Sequence, residues 1–180
     1  MAKNYCILKN IEIVKREEGR LLYYFAYGSC MDESSFAGTV GQEQYQLLGG
    51  ARLKDYRLAF PLYSQSRGGG GVGDIFPDPG GEMEGVLYRL KPAAWPLLDE
   101  REGVSQGTYR RMKVDVIWDD RTIQAVTYTV VNKADREYRP SPLYCRLIMN
   151  GARRHLSDAY CRRLIREWKE RFGMEWPIRE

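Results

Sequence analysis

The sequence predicts an α+β chain in which a strand-rich middle forms a meander or a barrel and a helix packs beside it. Two observations support this fold class. Short apolar or alternating segments follow one another between residues 21 and 150, without the alternating helices of a doubly wound fold. A helical apolar stripe then occupies the end of the chain. At 180 residues, we expect one main domain that needs neither metal nor disulfides for its core.

The first 20 residues are predicted to be an N-terminal extension of a domain that covers residues 21–180. Two short apolar groups in the extension, residues 5–8 and 11–14, are each compatible with a short strand. The extension lacks the apolar core of a signal peptide, and no stretch approaches the roughly 18 apolar residues of a membrane span. We therefore expect a cytoplasmic protein that has no membrane partner.

The strands of the domain are predicted from apolar runs and from alternation. Alternation is clearest where Met112, Val114 and Val116 share one face, and Asp119 and Asp120 then provide a turn into the next strand. The candidate strands are residues 22–26, 44–48 with 51–53, 57–61, 71–76, 82–90, 110–118 and 123–131.

Helices are predicted at two places. A short helix over residues 92–99 would have Pro92 in its first turn and be interrupted by Pro96, which lacks an N–H group. A longer helix covers about residues 156–172, with Ser157 as its N-cap and Gly173 as its stop. Its apolar stripe consists of Leu156, Ala159, Tyr160, Leu164, Trp168 and Phe172. We expect this stripe to pack on the strands.

Cysteine and histidine usage argues against metal and redox chemistry. The four cysteines are widely spaced and form no C-x-x-C pair, and His155 is the only histidine. We therefore expect no cofactor and no metal. The net charge is +4, and the C-terminal region is rich in Arg and Lys. Nucleic-acid binding is the alternative use of that region, but a solvated helix face explains it better and we expect no nucleic-acid partner.

A glycine-rich stretch, residues 67–74, resembles a phosphate-binding loop only superficially. It lacks the G-K-[ST] ending that would meet phosphate and magnesium, and no helix signal follows it. We expect a flexible loop that enters a strand, and either simple linkage or a lid over a pocket remains open.

Two segments can carry chemistry. Tyr27-Gly28-Ser29 follows an apolar strand, so its backbone N–H groups could form a cradle for an anionic or carbonyl oxygen. Further along, Glu102 stands between Asp99 and the turn-forming Gly103. Glycines that flank a carboxylate can project it into a cavity, where desolvation raises its pKa into a range useful for proton transfer. Asp99 is expected to fix the Glu102 loop rather than to act in catalysis.

Four motifs in this order resemble the gamma-glutamylcyclotransferase family of the AIG2-like superfamily. They are Tyr24-Phe25-Ala26-Tyr27-Gly28-Ser29, Gly85-Val86-Leu87-Tyr88, Leu98-Asp99 with Glu102-Gly103-Val104, Gly107 and Tyr109, and Pro140-Ser141-Pro142-Leu143-Tyr144. The resemblance covers about residues 23–153. It implies a small mixed β-barrel with flanking helices.

The resemblance also implies roles for individual residues. Glu102 would transfer protons, and Tyr27, Gly28 and Ser29 would hold the glutamyl unit. Tyr109 and Tyr144 would line the pocket. Cys30 occupies a substrate-binding position where the family commonly has Asn, so binding through an amide side chain would be lost.

The implied reaction releases 5-oxoproline from a small gamma-glutamyl amide or amine. The substrate's own α-amino group is the nucleophile, so no protein nucleophile or metal is needed. Two alternatives stay open: a non-catalytic domain that binds a metabolite or a protein partner, and an amidohydrolase that uses Cys30 as its nucleophile. The sequence is compatible with a monomer or a homodimer.

Overall fold

A computed structural model describes residues 22–177 and shows a closed barrel of five strands in the order β1-β3-β2-β4-β5. The strands are β1 (Leu22–Ala26), β2 (Tyr45–Ser64), β3 (Gly70–Leu90), β4 (Tyr109–Trp118) and β5 (Arg121–Val130). The helices of the described part are α1 (Glu33–Val40), α2 (Ala94–Arg101), α3 (Pro142–His155) and α4 (Asp158–Phe172). This confirms the mixed barrel with flanking helices. The extension of residues 1–20, its two candidate strands and Cys6 lie outside the described residues.

The barrel is mixed because β1 closes it with two different neighbours. β1 pairs antiparallel with β3 along its whole length, from Leu22 opposite Leu90 to Ala26 opposite Val86. On its other side it runs parallel to β5, where Tyr24 lies opposite Val126. The last three residues of β1 are buried, so the apolar run of the sequence enters the barrel core.

The β2–β3 pair is one long hairpin, where the sequence predicted four or five separate strands. β2 has 20 residues and β3 has 21, and the pairing passes through register shifts at Leu47/Gly49, Lys54/Tyr56 and Ala59/Leu62. Such bulges add a residue on one strand and bend it without ending the ladder. Prolines and glycines therefore lie within these strands, and the prediction of several separate strands in this region was wrong.

Pro96 does not interrupt α2, contrary to the prediction. The helix begins at Ala94, so Pro96 is its third residue. The first N–H groups of a helix have no partner within that helix, so a proline there removes no hydrogen bond. α2 therefore continues to Arg101 and brings Glu102 to its C-terminal end.

The predicted C-terminal helix is α4, and its expected caps are observed. Ser157 accepts a hydrogen bond from the Tyr160 N–H, and Gly173 adopts the left-handed conformation at φ 64°. Leu156 lies just outside α4, at the end of α3. α3 itself was not predicted. It has its own signals, since Ser141 accepts from the Tyr144 N–H and Pro142 stands in its first turn.

α3 packs closely on a short 3-10 turn, Ser29–Met31, that follows β1. Met31 is fully buried, and a Cβ atom at Gly151 of α3 would overlap its backbone carbonyl. Only glycine at position 151 lets the helix approach this closely. Within residues 22–177, no helix has the length and apolarity that a membrane crossing requires.

Replacing Gly151 by Ala tests this contact. We expect Gly151→Ala to lower the free energy of unfolding by about 1–3 kcal/mol, because the added methyl group must displace the Met31 backbone. Gly38→Ala in α1 is the matched control. No atom lies within 4 Å of a Cβ there, so it should stabilise the helix by up to about 1 kcal/mol. Chemical denaturation measures both, and equal stability of the two variants would contradict the close contact.

Candidate active site

A cavity of about 410 Å³ brings together all of the residues that the sequence singled out as a site. Its walls come from the segment after β1, the end of α2, the turn between β2 and β3, and the starts of β4 and α3. The predicted site residues that line it are Tyr27, Gly28, Ser29, Cys30, Glu102, Tyr109 and Tyr144. Segments separated by more than 100 positions in the sequence therefore meet at one opening.

The Tyr27-Gly28-Ser29 segment enters the 3-10 turn with unused backbone donors. The first hydrogen bond of the turn is given by the Met31 N–H to the Gly28 carbonyl at 3.0 Å. The turn itself therefore does not use the N–H groups of Ser29 and Cys30. The Tyr27 hydroxyl donates to the Tyr128 carbonyl at 2.7 Å, which fixes the segment to β5.

Two tyrosine hydroxyls hold the backbone of Gly73 in β3. The Tyr144 hydroxyl accepts from the Gly73 N–H at 3.0 Å, and the Tyr109 hydroxyl donates to the Gly73 carbonyl at 2.8 Å. The Tyr109 proton is thus used, whereas Tyr144 keeps a proton that it can donate. A Cβ atom at Gly28 would lie 2.8 Å from the Tyr144 hydroxyl, so glycine at position 28 leaves room for it.

Glu102 is oriented by the way α2 ends. Gly103 has a φ of 63°, its N–H donates to the Glu100 carbonyl, and the Val104 N–H donates to the Asp99 carbonyl. This pair of bonds is the Schellman motif, which places Glu102 at the C-cap of the helix, directly after Arg101. The side chain of Glu102 is 18% exposed.

The environment of Glu102 favours its protonated form. Burial raises the pKa of its carboxyl above the ordinary value, and the positive charges of Arg101 and Arg67 oppose this only in part. The C-terminal end of a helix also disfavours a negative charge. A carboxyl with a raised pKa can both accept and donate a proton near neutral pH.

Arg101 is a site residue that the sequence analysis missed. Its guanidinium donates to the Ser29 Oγ at 3.0 Å, to Ser35 in α1 and to the Thr39 hydroxyl. Its Nε lies 3.9 Å from the Glu102 carboxylate. Arg101 therefore links the segment after β1 to the end of α2. An arginine in a charge-rich helix gives no sequence signal of this role.

Asp99 connects α2 to the barrel wall. Its carboxylate accepts two hydrogen bonds from Arg111 of β4, at 2.8 and 2.7 Å, and one from the Tyr128 hydroxyl of β5 at 2.7 Å. Arg111 also stacks over the Trp95 ring. The bonds fix the turn of α2 that precedes Glu102, which is the positioning arrangement expected from the sequence.

Asp74 was also missed, although its sequence context gives a signal. It is a fully buried carboxylate next to Gly73, and it accepts hydrogen bonds from the Thr129 hydroxyl at 2.9 Å and from the Val130 N–H. Lys133 pairs with its other oxygen. A charged residue inside an apolar strand pattern is uncommon unless it is paired. Asp74 thus holds β3 against β5 next to Gly73, which lines the cavity.

Cys30 lies at the wall of the cavity with little exposed surface. Cys30 is 4% exposed, and the Tyr88 hydroxyl donates a hydrogen bond to the Cys30 carbonyl at 3.0 Å. Burial raises the pKa of the Cys30 thiol, while the positive charge of Arg101 lowers it in part. A thiol with a raised pKa is mostly protonated near neutral pH and is a weak nucleophile.

The glycine-rich stretch forms a turn that is attached to α3. The Ser141 hydroxyl donates to the Arg67 carbonyl, and the Gly71 N–H donates to the Arg139 carbonyl at 2.9 Å. The turn contributes Ser64, Ser66 and Arg67 to the cavity wall.

Among residues 22–177, no three His, Cys, Asp or Glu side chains are grouped so that they could hold a metal ion.

Comparison with known proteins identifies the family. Residues 82–164 match the model of the AIG2-like family. The Bacillus subtilis protein YkqA is 39% identical over 147 residues, which are 81% of this chain and 51% of YkqA. This chain therefore spans about half the length of that relative. Mouse gamma-glutamylcyclotransferase is 31% identical over 141 residues, which are 76% of this chain and 73% of the mouse protein.

The fold agrees with this relationship. A solved gamma-glutamyl cyclotransferase superposes with a TM-score of 0.74 at 30% identity, covering 81% of this chain and 86% of that one. The solved structure of YkqA superposes with a TM-score of 0.78 at 35% identity, covering 89% of this chain and 58% of YkqA. The motifs, the barrel and the sequence identity over most of the mouse protein lead to one conclusion: the chain belongs to the gamma-glutamylcyclotransferase family of enzymes.

Proposed function

We propose that this protein releases 5-oxoproline from a small gamma-glutamyl amide or amine. The α-amino group of the glutamyl unit attacks its own γ-carbonyl carbon, a five-membered lactam forms, and the bond to the leaving nitrogen breaks. Overall the attacking nitrogen loses two protons and the leaving nitrogen gains two, so the amine departs as an ammonium ion. No oxidant, metal or second substrate is required for this balance.

The observation that carries the proposal is a largely buried carboxyl in the same cavity as a segment of backbone donors. Glu102 lines the same cavity as the Tyr27-Gly28-Ser29 segment, and burial raises the pKa of its carboxyl. In this proposal Glu102 takes a proton from the substrate ammonium and later gives one to the leaving nitrogen. One carboxyl can carry both protons in turn, and a raised pKa makes its protonated form a better supplied proton donor.

The remaining predicted site residues would hold the bent substrate. The N–H groups of Ser29 and Cys30, which the 3-10 turn leaves unused, can bind the α-carboxylate or the carbonyl oxygen of the glutamyl unit. Tyr144 has a proton left to donate into the cavity, whereas Tyr109 acts by keeping the Gly73 backbone in place. A cavity of about 410 Å³ suits a small ligand.

The two alternatives have less support. A Cys30-dependent amidohydrolase needs a thiolate and a base beside it, but burial raises the pKa of the thiol and His155 does not line the cavity. A binding-only domain would not need a carboxyl of raised pKa at the cavity wall. Both alternatives differ from the proposal in the product that they form.

Glu102→Gln tests the proton-transfer role. The amide keeps the shape of the side chain but cannot accept or carry the proton, so we expect turnover to fall by about 10²- to 10⁴-fold. Release of 5-oxoproline, followed by mass spectrometry over a panel of gamma-glutamyl amides, is the measurement. Glu170→Gln, an exposed carboxylate on α4, is the matched control and should retain full activity. Full activity of Glu102→Gln would refute the assignment.

The raised pKa of Glu102 gives two predictions of opposite sign about pH. Activity needs the ionised carboxylate, so kcat/KM should rise with pH along a limb whose midpoint lies above 4.5, the ordinary pKa of Glu.

The contribution of Glu102 to stability should fall, not rise, with increasing pH. A pKa raised in the folded state gives a contribution that is complete below the unfolded-state pKa and is lost as pH rises through the folded-state pKa.

Glu102→Gln therefore removes a charge that destabilises the fold near neutral pH. We expect this variant to have a higher free energy of unfolding than the wild-type protein at about pH 7, and the difference to vanish towards about pH 4. Urea unfolding at several pH values measures it. A variant that is less stable at about pH 7 would show that the carboxylate is stabilised in the folded protein.

Cys30→Ala separates cyclisation from hydrolysis. In the proposed mechanism the Cys30 thiol transfers no proton and forms no bond to the substrate. The variant should therefore still release 5-oxoproline, at a rate within about 10-fold of the wild-type rate. Thiol alkylation of the native protein is a second test, and the product should again be 5-oxoproline. Loss of all turnover in Cys30→Ala, with free glutamate as the wild-type product, would favour the amidohydrolase.

A further inference from the structure

Arg67 places a positive charge at the wall of the cavity, on the turn between β2 and β3. It is partly buried, and it lines the same cavity as the Tyr27-Gly28-Ser29 segment and Glu102. Within residues 22–177, its guanidinium has no hydrogen bond and no ion pair within 4.0 Å, although it is a cavity residue. Its five N–H donors are therefore available to a ligand.

The backbone of Arg67 is held independently of its side chain. The carbonyl of Arg67 accepts from the Ser141 hydroxyl, which is also the N-cap of α3. A Cβ atom at Gly68 would lie 3.3 Å from the same hydroxyl, and the Gly71 N–H bonds to the Arg139 carbonyl. The turn is thereby fixed to the helix that carries Tyr144. Substitution of the Arg67 side chain leaves all of these backbone contacts intact.

The other arginine that lines the cavity, Arg101, already has hydrogen-bond partners in the protein. Arg101 gives its donors to Ser29, Ser35 and Thr39, and its Nε faces Glu102 at 3.9 Å. Arg67 is close enough to the site for its charge to lower the pKa of both Glu102 and Cys30. An incoming anionic group therefore finds one arginine with unused donors, and that arginine is Arg67.

We propose that Arg67 binds the carboxylate of the leaving amine and so selects gamma-glutamyl substrates by the charge of the group that departs. This inference rests on the proposed function. The Tyr27-Gly28-Ser29 donors can hold the glutamyl unit, and the unused donors of Arg67 then remain for the leaving group. Amino acids and peptides carry a carboxylate there, whereas polyamines carry a second positive charge that Arg67 repels.

Three substrates that differ mainly in the charge of the leaving group test this role: gamma-glutamyl-alanine, gamma-glutamyl-alaninamide and gamma-glutamyl-putrescine. The wild-type protein should prefer the alanine compound to the alaninamide by about 10- to 100-fold in kcat/KM, the range of a charge-assisted pair. It should use the putrescine compound least. In Arg67→Gln the ratio between the alanine and alaninamide compounds should fall towards about 1.

Two further variants separate recognition from bulk charge. Arg67→Lys keeps the charge but loses the paired donors, so it should retain only part of the preference. Arg166→Gln removes an exposed arginine from α4 and should leave the ratio unchanged. An equal loss of kcat/KM for the alanine and alaninamide compounds in Arg67→Gln would overturn the inference, because it would place Arg67 on the glutamyl unit.

Calorimetric binding of the same three compounds makes failure of the inference distinguishable from failure of the proposed function. If the wild-type protein binds them with the predicted preference but releases no 5-oxoproline, the role of Arg67 stands and the cyclisation is wrong. If it releases 5-oxoproline without any preference for the carboxylate, the cyclisation stands and the role of Arg67 is wrong. If it neither binds nor converts any of them, both are wrong.

Discussion

The backbone of Gly73 is the point on which the geometry of the cavity depends. The Tyr144 hydroxyl accepts a hydrogen bond from the Gly73 N–H, and the Tyr109 hydroxyl donates one to the Gly73 carbonyl. The buried Asp74 beside it is hydrogen-bonded to β5. One residue of β3 thus connects to the start of β4 and the first turn of α3, and all three line the cavity. The Tyr144 hydroxyl fits there because glycine occupies position 28 on its other side. Each hydrogen bond at such a buried position contributes modestly to stability, but breaking it leaves a buried polar group without a partner, which is costly.

Much of the candidate site could be predicted because its residues lie in recognisable motifs, with Tyr27 and Glu102 each directly before a glycine and Tyr144 after two prolines. Tyr27, Glu102 and Tyr144 were expected to share a pocket, and they line one cavity. Arg101 has no comparable signal in the sequence. An arginine in a helix of mixed charge resembles any solvated residue, and its role depends on three elements that meet only in the folded protein.

The fold was predictable at the level of its class and less so in its boundaries. Strands with one buried face were recognised from alternation, as in β4, and the caps of α4 were read from Ser157 and Gly173. The β2–β3 hairpin was divided at its glycines and prolines, because bulges and strand ends use the same residues. Pro96 misled the prediction of α2 because its effect depends on how far it lies from the helix start, a boundary that the sequence does not fix closely.

The tip of the long β2–β3 hairpin and the end of α2 are held by different contacts, so the two segments can change independently during evolution. Glu102 depends on the end of α2 and on the Asp99 bonds. The hairpin tip is attached through its own backbone atoms, since the Arg67 carbonyl accepts from the Ser141 hydroxyl and the Gly71 N–H donates to the Arg139 carbonyl. Side chains at the tip can therefore change while its backbone stays attached beside α3. A lineage that inherits this barrel can alter the charge at one wall of the cavity, and with it the charge that acts on Glu102, by exchanging a few tip residues without a large loss of stability.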